Sequence, residues 1–230
     1  CLAGYWLRAG RIERPLFSPQ LFQTRSFAVG ILGNLFGRLG SGALPFLVPL
    51  LLQVALGYSP AEAGMSMIPL ALAAMAIKPL TKGLIDRFGY RQLLVANTLL
   101  LGLLIASLGI TGQETPLALL LVQLALIGAC NSLQFSAMNT IALIDLQDHQ
   151  ASSGNSLLAV VVQLAMGLGV ASAGALLGGF STPDSEVLRA FQLTFLCLGL
   201  LSMIAAAIFL QLGDKDGRGG PLPQRAQAPD

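Results

Sequence analysis

The chain has 230 residues, 54% of them hydrophobic and 10% charged, with a mean hydropathy of +0.73 and a formal net charge of +2. A soluble domain carries about a quarter charged residues, so a water-facing surface cannot be covered here and a soluble globular fold is excluded. The same composition offers no basic face for nucleic acid and places the chain among polytopic membrane proteins.

The chain opens on CLAGYWL, which reads as the tail of an earlier span, so the expectation is a piece of a longer protein. A polar, proline-containing segment follows, Arg8 to Ser26, with Arg8, Arg11, Arg14 and Arg25. Residues 1–26 are therefore expected to be the end of a preceding span and a cytoplasmic linker. Six apolar runs come next, at 27–56, 61–80, 92–110, 116–143, 155–179 and 190–212. Each reaches the ~20 residues that a helix needs to cross a bilayer with its backbone hydrogen bonds satisfied internally. Alternating ten-residue strands, the barrel signature, are absent. The expected fold is an all-α membrane protein with six transmembrane helices over 27–212. The tail, Gly213 to Asp230, is rich in Gly, Pro and charge and is expected to be disordered.

The cations set an orientation. Alternation of six spans puts Arg8, Arg11, Arg14, Arg25, Lys82, Arg87, Arg91, Lys215, Arg218 and Arg225 on one side. The other side has Arg189, with Glu62, Glu114, Asp184 and Glu186. The positive-inside rule makes the first side, and both termini, cytoplasmic.

Within the first run, GNLFGRLGSGALPF places Arg38 about eleven residues past the start, roughly 16 Å deep at 1.5 Å per residue. An unpaired arginine at that depth costs at least ~2.5 kcal/mol. It should therefore face a watery cavity, a buried acid or a cluster of carbonyls. No acid of this chain lies at matching depth, so an acidic partner would be absent from the chain or be a ligand. Gly33, Gly37, Gly40 and Gly42 would let a neighbouring helix approach, and Pro45 and Pro49 would free carbonyls.

Other polar residues at membrane depth are Asn34, Gln123, Asn131, Gln134, Asn139 and Gln163. Asn131 and Gln134 are three apart and share a helix face. Each reads singly as interhelical bonding, and the set, with Arg38, reads as the lining of a substrate cavity: Arg38, Asn34, Gln123, Asn131 and Gln134. Lys78, near the end of its run, reads as a snorkelling anchor. Gly167, Ala171, Ala175 and Gly179, four apart, form a small-residue face for close packing. Cys1, Cys130 and Cys197 are too widely spaced for a disulfide framework or a metal site, and the single His149 has no partner nearby. No phosphate loop, HExxH or GxSxG occurs, so neither metal, cofactor nor enzymatic catalysis is indicated.

Between the second and third runs lies KGLIDRFGYRQLL, Lys82 to Leu94. Its core, Asp86-Arg87-Phe88-Gly89-Tyr90-Arg91, resembles the G-x-x-x-D-R-x-G-R-[RK] signature of the major facilitator superfamily. Lys82 stands where the first glycine belongs, and Tyr90 replaces a basic residue. LFQTRSFAVG (Leu21 to Gly30) is similar to the L-F-x-x-R-x-F entry of the fourteen-span drug:proton antiporters. QLAMGLGVASAG (Gln163 to Gly174) is similar, with an offset, to their Q-x-x-G-x-x-x-G-x-A pattern. GRLGSGALPF, RFGYR, FSAMNT and ASSGNSLL together are closest to a multidrug-resistance branch of that family.

The resemblance covers about residues 16–212 and implies the C-terminal half of an efflux transporter. Two inverted three-helix repeats would rock against an N-terminal half around small amphipathic substrates and protons. Asp86, Arg87, Gly89 and Arg91 would form a cytoplasmic gate loop. The protonatable acids would belong to the other half, since arginine does not titrate. A metabolite or sugar facilitator of the same superfamily, or a membrane scaffold that transports nothing, are the readings left open beside it.

Overall fold

The structure, a computed structural model, describes residues 24–144, 146, 148–181 and 186–212. Residues 1–23 and 213–230, where most of the expected linker and the whole expected tail fall, lie outside the described residues, as do Asp145, Asp184 and the side chains of Asp148 and His149. Among the described residues every regular element is a helix.

Five stretches are long and apolar enough to cross a membrane: Arg25–Ala55, Lys78–Ile110, Leu117–Ile144, Ala151–Phe180 and Val187–Phe209. The expected second run takes the form of shorter helices within Pro60–Ala76. These are interrupted at Met67 and Ile77, each two residues ahead of a proline, Pro69 or Pro79. A proline removes the N–H that would bond four residues back, which explains both interruptions. The helix Lys78–Ser107 then runs through Gly89, whose φ of 74° and ψ of 162° are not helical. That corner of backbone space is essentially restricted to glycine.

Neighbour directions settle the number of crossings. A Cβ on Gly128 would press on Leu70, and Ser132 Oγ donates to the Ala74 carbonyl at 2.7 Å. The numbers rise together, so these segments run parallel. On the same helix, Gln134 meets Asn97 and Gln123 bonds the Leu104 carbonyl. Those numbers run in opposite senses, so that pair is antiparallel. The chain therefore reverses between Ala74 and Asn97, and Gly89 is the non-helical residue inside the helix that connects them. The second span is 60–88 and the third 90–110, which makes six crossings among the described residues.

The remaining contacts alternate as six crossings require. The first span (Arg25–Ala55) runs antiparallel to the fourth (Leu117–Ile144), Gly30 lying against Ala142 and Gly37 against Met138. It runs parallel to the fifth (Ala151–Phe180), Phe27 reaching Gly154 and Leu39 reaching Gly169. It is antiparallel to the sixth (Val187–Phe209), with Gly33 at Phe209 and Gly40 at Leu198 and Ser202. The third and sixth cross where Gly102 faces Gly199. Exchanging spans one to three with four to six maps this pattern onto itself. The first–fifth pair becomes fourth–second, and first–sixth becomes fourth–third. Two inverted three-span repeats thus build the bundle.

Lipid is as apolar as leucine, so association here depends on close packing more than on escape from water. The glycines serve that end: a Cβ on Gly199 would sit 2.5 Å from the Ala106 nitrogen and 2.6 Å from the Gly102 oxygen. Helix ends are sealed locally. Tyr58 N–H bonds the Leu52 carbonyl at 2.9 Å across Gly57, whose φ is 74°. Ser59 then caps the next helix with Glu62 in a reciprocal box, Pro60 standing just inside. The packed core lies on spans one, three, four and six. No residue of Ile68–Ala76 is buried, and the fifth span is the least covered of the long ones.

Candidate functional site

Arg38 sits in the middle of the first span and is 7% exposed. A ladder at i, i+4 spacing leads away from it. Arg38 Nε donates to Asn34 Oδ1 at 3.0 Å, and Asn34 Nδ2 donates to the Gly30 carbonyl at 2.9 Å. Asn34 is fully buried. The guanidinium carbon lies 4.3 Å from the centroid of the Phe135 ring on the fourth span. Gly37 permits that approach, because a Cβ there would meet Met138 Cε at 3.0 Å. Arg38 Nη2 has no hydrogen-bond partner among the described residues, although it is sealed from solvent. On the facing helix Asn139 Oδ1 is likewise buried without a partner. The first span therefore holds a buried, fully charged donor without a partner, and the fourth holds a buried acceptor without one. Buried polar groups in proteins are nearly always satisfied, so each exception calls for a reason.

A second polar cluster joins the third and fourth spans and is saturated. Gln134 Nε2 donates to Thr98 Oγ1 at 2.5 Å, and Asn97 Nδ2 donates to Gln134 Oε1 at 2.6 Å. Asn97 Nδ2 also reaches the Cys130 carbonyl at 2.9 Å, while Thr98 Oγ1 donates to the Leu94 carbonyl at 2.6 Å. Gln134 is 4% exposed. It points into the third span, not toward Arg38, which differs from the cavity position expected for it. Gln123 also turns to the third span, donating to Ser107 Oγ at 2.7 Å and to the Leu104 carbonyl at 3.3 Å. Asn131 is half-buried. Of the five residues expected to line one cavity, the structure brings together Arg38 and Asn34. It directs Gln123 and Gln134 elsewhere.

Asp86 and Arg87 are exposed at the Gly89 turn, and the Arg87 guanidinium lies 5.6 Å from the Phe88 ring centroid. Arg91 is half-buried and Tyr90 is buried just past the turn. The turn is tighter than the 81–91 loop expected, since helix continues on both sides of Gly89. Lys78 consequently stands eleven residues before Gly89, roughly 16 Å of helix from the turn at 1.5 Å per residue. That is deeper than the end-of-span position expected for an anchor.

The fifth span presents Gly167, Ala171, Ala175 and Gly179 to the outside, and a Cβ at Gly167 or Gly179 would meet nothing within 4 Å. Beside it a cleft of about 530 Å³ is lined by Gly42, Pro45, Phe46, Gln163, Met166 and Val170. Gln163 lines this cleft, while Phe135 covers Arg38 and Asn139 carries the unpartnered oxygen; sequence reasoning left all three outside the site. Asn139 and Gln163 stood out as polar residues at depth, whereas nothing in the pattern marked Phe135 among so many apolar neighbours.

The sequence pattern described as the Major Facilitator Superfamily matches residues 30–229. A protein of Serratia proteamaculans (strain 568) named "Putative multidrug resistance protein MdtD" is 45% identical over 216 residues, covering 92% of this chain and 45% of the relative. Proteins of the same name are 43% identical in Pectobacterium atrosepticum, over 90% of this chain and 46% of the relative, and 40% identical in Yersinia enterocolitica, over 97% and 49%. The chain spans about half the length of the curated relatives it matches.

Proposed function

The chain belongs to the Major Facilitator Superfamily, and on that premise we propose that it is the C-terminal half of a proton-coupled multidrug efflux transporter. Its partner is an N-terminal half of the same protein, in a bacterial inner membrane, with both termini of this half cytoplasmic. The observation that carries this reading is Arg38, a cation sealed at mid-span whose Nη2 has no partner among the described residues, none of which is an acid at that depth. An intramembrane charge marks a pathway or a binding site by default.

Small amphipathic substrates bind between the halves near the midplane, and rocking of the halves exposes them to each side in turn. The bare second and fifth spans are the faces that the other half covers. Asp86, Arg87 and Arg91, held at the Gly89 turn, latch the cytoplasmic side by bridging to charges across the divide. Proton uptake needs a group that titrates in the membrane, so the coupling acid belongs to the other half. The relatives' name supports a drug substrate over a sugar or metabolite.

The test is ethidium accumulation in efflux-deficient cells that express the full-length protein. Accumulation should fall, and a protonophore should restore it. Unchanged accumulation, or export of one metabolite and no dye, would sink this reading.

A further inference from the structure

We infer that Arg38 receives a carboxylate that enters from outside the described bundle, carried by the transported molecule or by a side chain of the other half. The inference rests on the transport reading and names the chemistry of its site. Three observations converge. One face of the guanidinium is taken by the Phe135 ring at 4.3 Å, and Nε is taken by Asn34 at 3.0 Å. What remains is the planar edge with Nη2, which is buried and unpartnered. A planar edge of parallel N–H donors matches a carboxylate in two-point contact, and charge neutralisation in a dry site favours an anion over a neutral carbonyl.

No described residue of this half can supply that anion. Glu62 is committed to the Ser59 cap at one end of its span, and Asp86 is exposed at the Gly89 turn at the other.

Entry requires movement, because Nη2 is sealed. Phe135 is 43% exposed and can swing outward. The helix that carries Arg38 breaks just beyond it, at Gly42 and Ala43, before restarting at Leu44. The ring therefore serves as a flap over the cation, displaced when the carboxylate docks.

The purified full-length transporter tests this with an amphipathic fluorescent dye that carries one carboxylate, compared with its methyl ester. The wild type should bind the acid about tenfold or more tightly than the ester, the scale of one charge-assisted pairing. Arg38→Gln should bring the ratio to about one, with an unchanged monodisperse size-exclusion peak in detergent reporting that the variant is folded. That outcome assigns the carboxylate to the substrate. If the wild type shows no such preference, efflux of both dyes should instead fall together in Arg38→Gln and recover when an acid at membrane depth in the other half is neutralised. That outcome assigns it to a side chain. A preference that survives Arg38→Gln overturns the inference, as does an equal loss that no neutralisation repairs. A wild type that binds neither dye counts against the transport reading instead.

Discussion

Gln134 and Phe135 are adjacent on the fourth span, yet they belong to different sides of the bundle. Gln134 faces the third span, where its amide donates at one end and accepts at the other. Phe135 faces the first span, where it covers a guanidinium with an unused donor. Both clusters are polar and buried at similar depth. They differ in saturation: one is closed on itself, the other is one partner short. A polar residue in a membrane bundle is thus a staple when its neighbours complete it and a site when they do not. The same division extends to packing. The third and sixth spans meet backbone to backbone at Gly102 and Gly199, whereas the fifth leaves Gly167 and Gly179 touching nothing.

The contrast can be broken most severely on the closed side. Gly199→Leu drives a side chain into backbone atoms of the third span at 2.5 and 2.6 Å. The expected result is loss of the monodisperse peak on size-exclusion chromatography in detergent. A folded Gly199→Leu protein would mean that the third–sixth seam is not tight.

Gly89→Val comes next. A β-branched residue at φ 74° and ψ 162° costs about 2 kcal/mol or more in strain. The melting temperature should fall, and efflux should fall with it, because this residue reverses the chain between the second and third spans. An unchanged melting temperature would place the reversal elsewhere.

Gln134→Leu is the mildest. Asn97 keeps the Cys130 carbonyl and Thr98 keeps the Leu94 carbonyl, so the loss should be about 1 kcal/mol of stability. Dye export should stay within about twofold, unlike the effect of Arg38→Gln. If Gln134→Leu abolishes export while stability holds, the closed cluster is part of the site and the contrast fails.

Much of the bundle could be read from the chain. Six crossings, the turn at Asp86–Arg91 and the mid-span depth of Arg38 followed from run lengths, a glycine in a charged signature and residue counting. The five-stretch appearance of the helices arises because Pro69 and Pro79 shorten the second span while backbone hydrogen bonding continues past Gly89. The prolines were visible, but how far helix would continue past Lys82 was not, since charged residues at a span end are equally at home in helix or loop. The Ser59-x-x-Glu62 box was a sequence signal left unused.

Side-chain direction was the harder part. Residues three apart share a helix face only to within about 60°. That angle is enough to send Gln134 into the third span and leave Asn131 half-buried. An orphan atom such as Asn139 Oδ1 is defined by what its neighbours do not offer, and a single chain pattern cannot express it.

The threading on which all of this depends is tested most directly by single cysteines at Arg87 and Gln113 in a cysteine-free, full-length transporter, probed in intact cells with a membrane-impermeant maleimide. Both native residues are exposed, one at the Gly89 turn and one between the third and fourth spans. The account predicts that Gln113→Cys reacts at once and that Arg87→Cys reacts after permeabilisation alone. Labelling of Arg87→Cys in unbroken cells would contradict it.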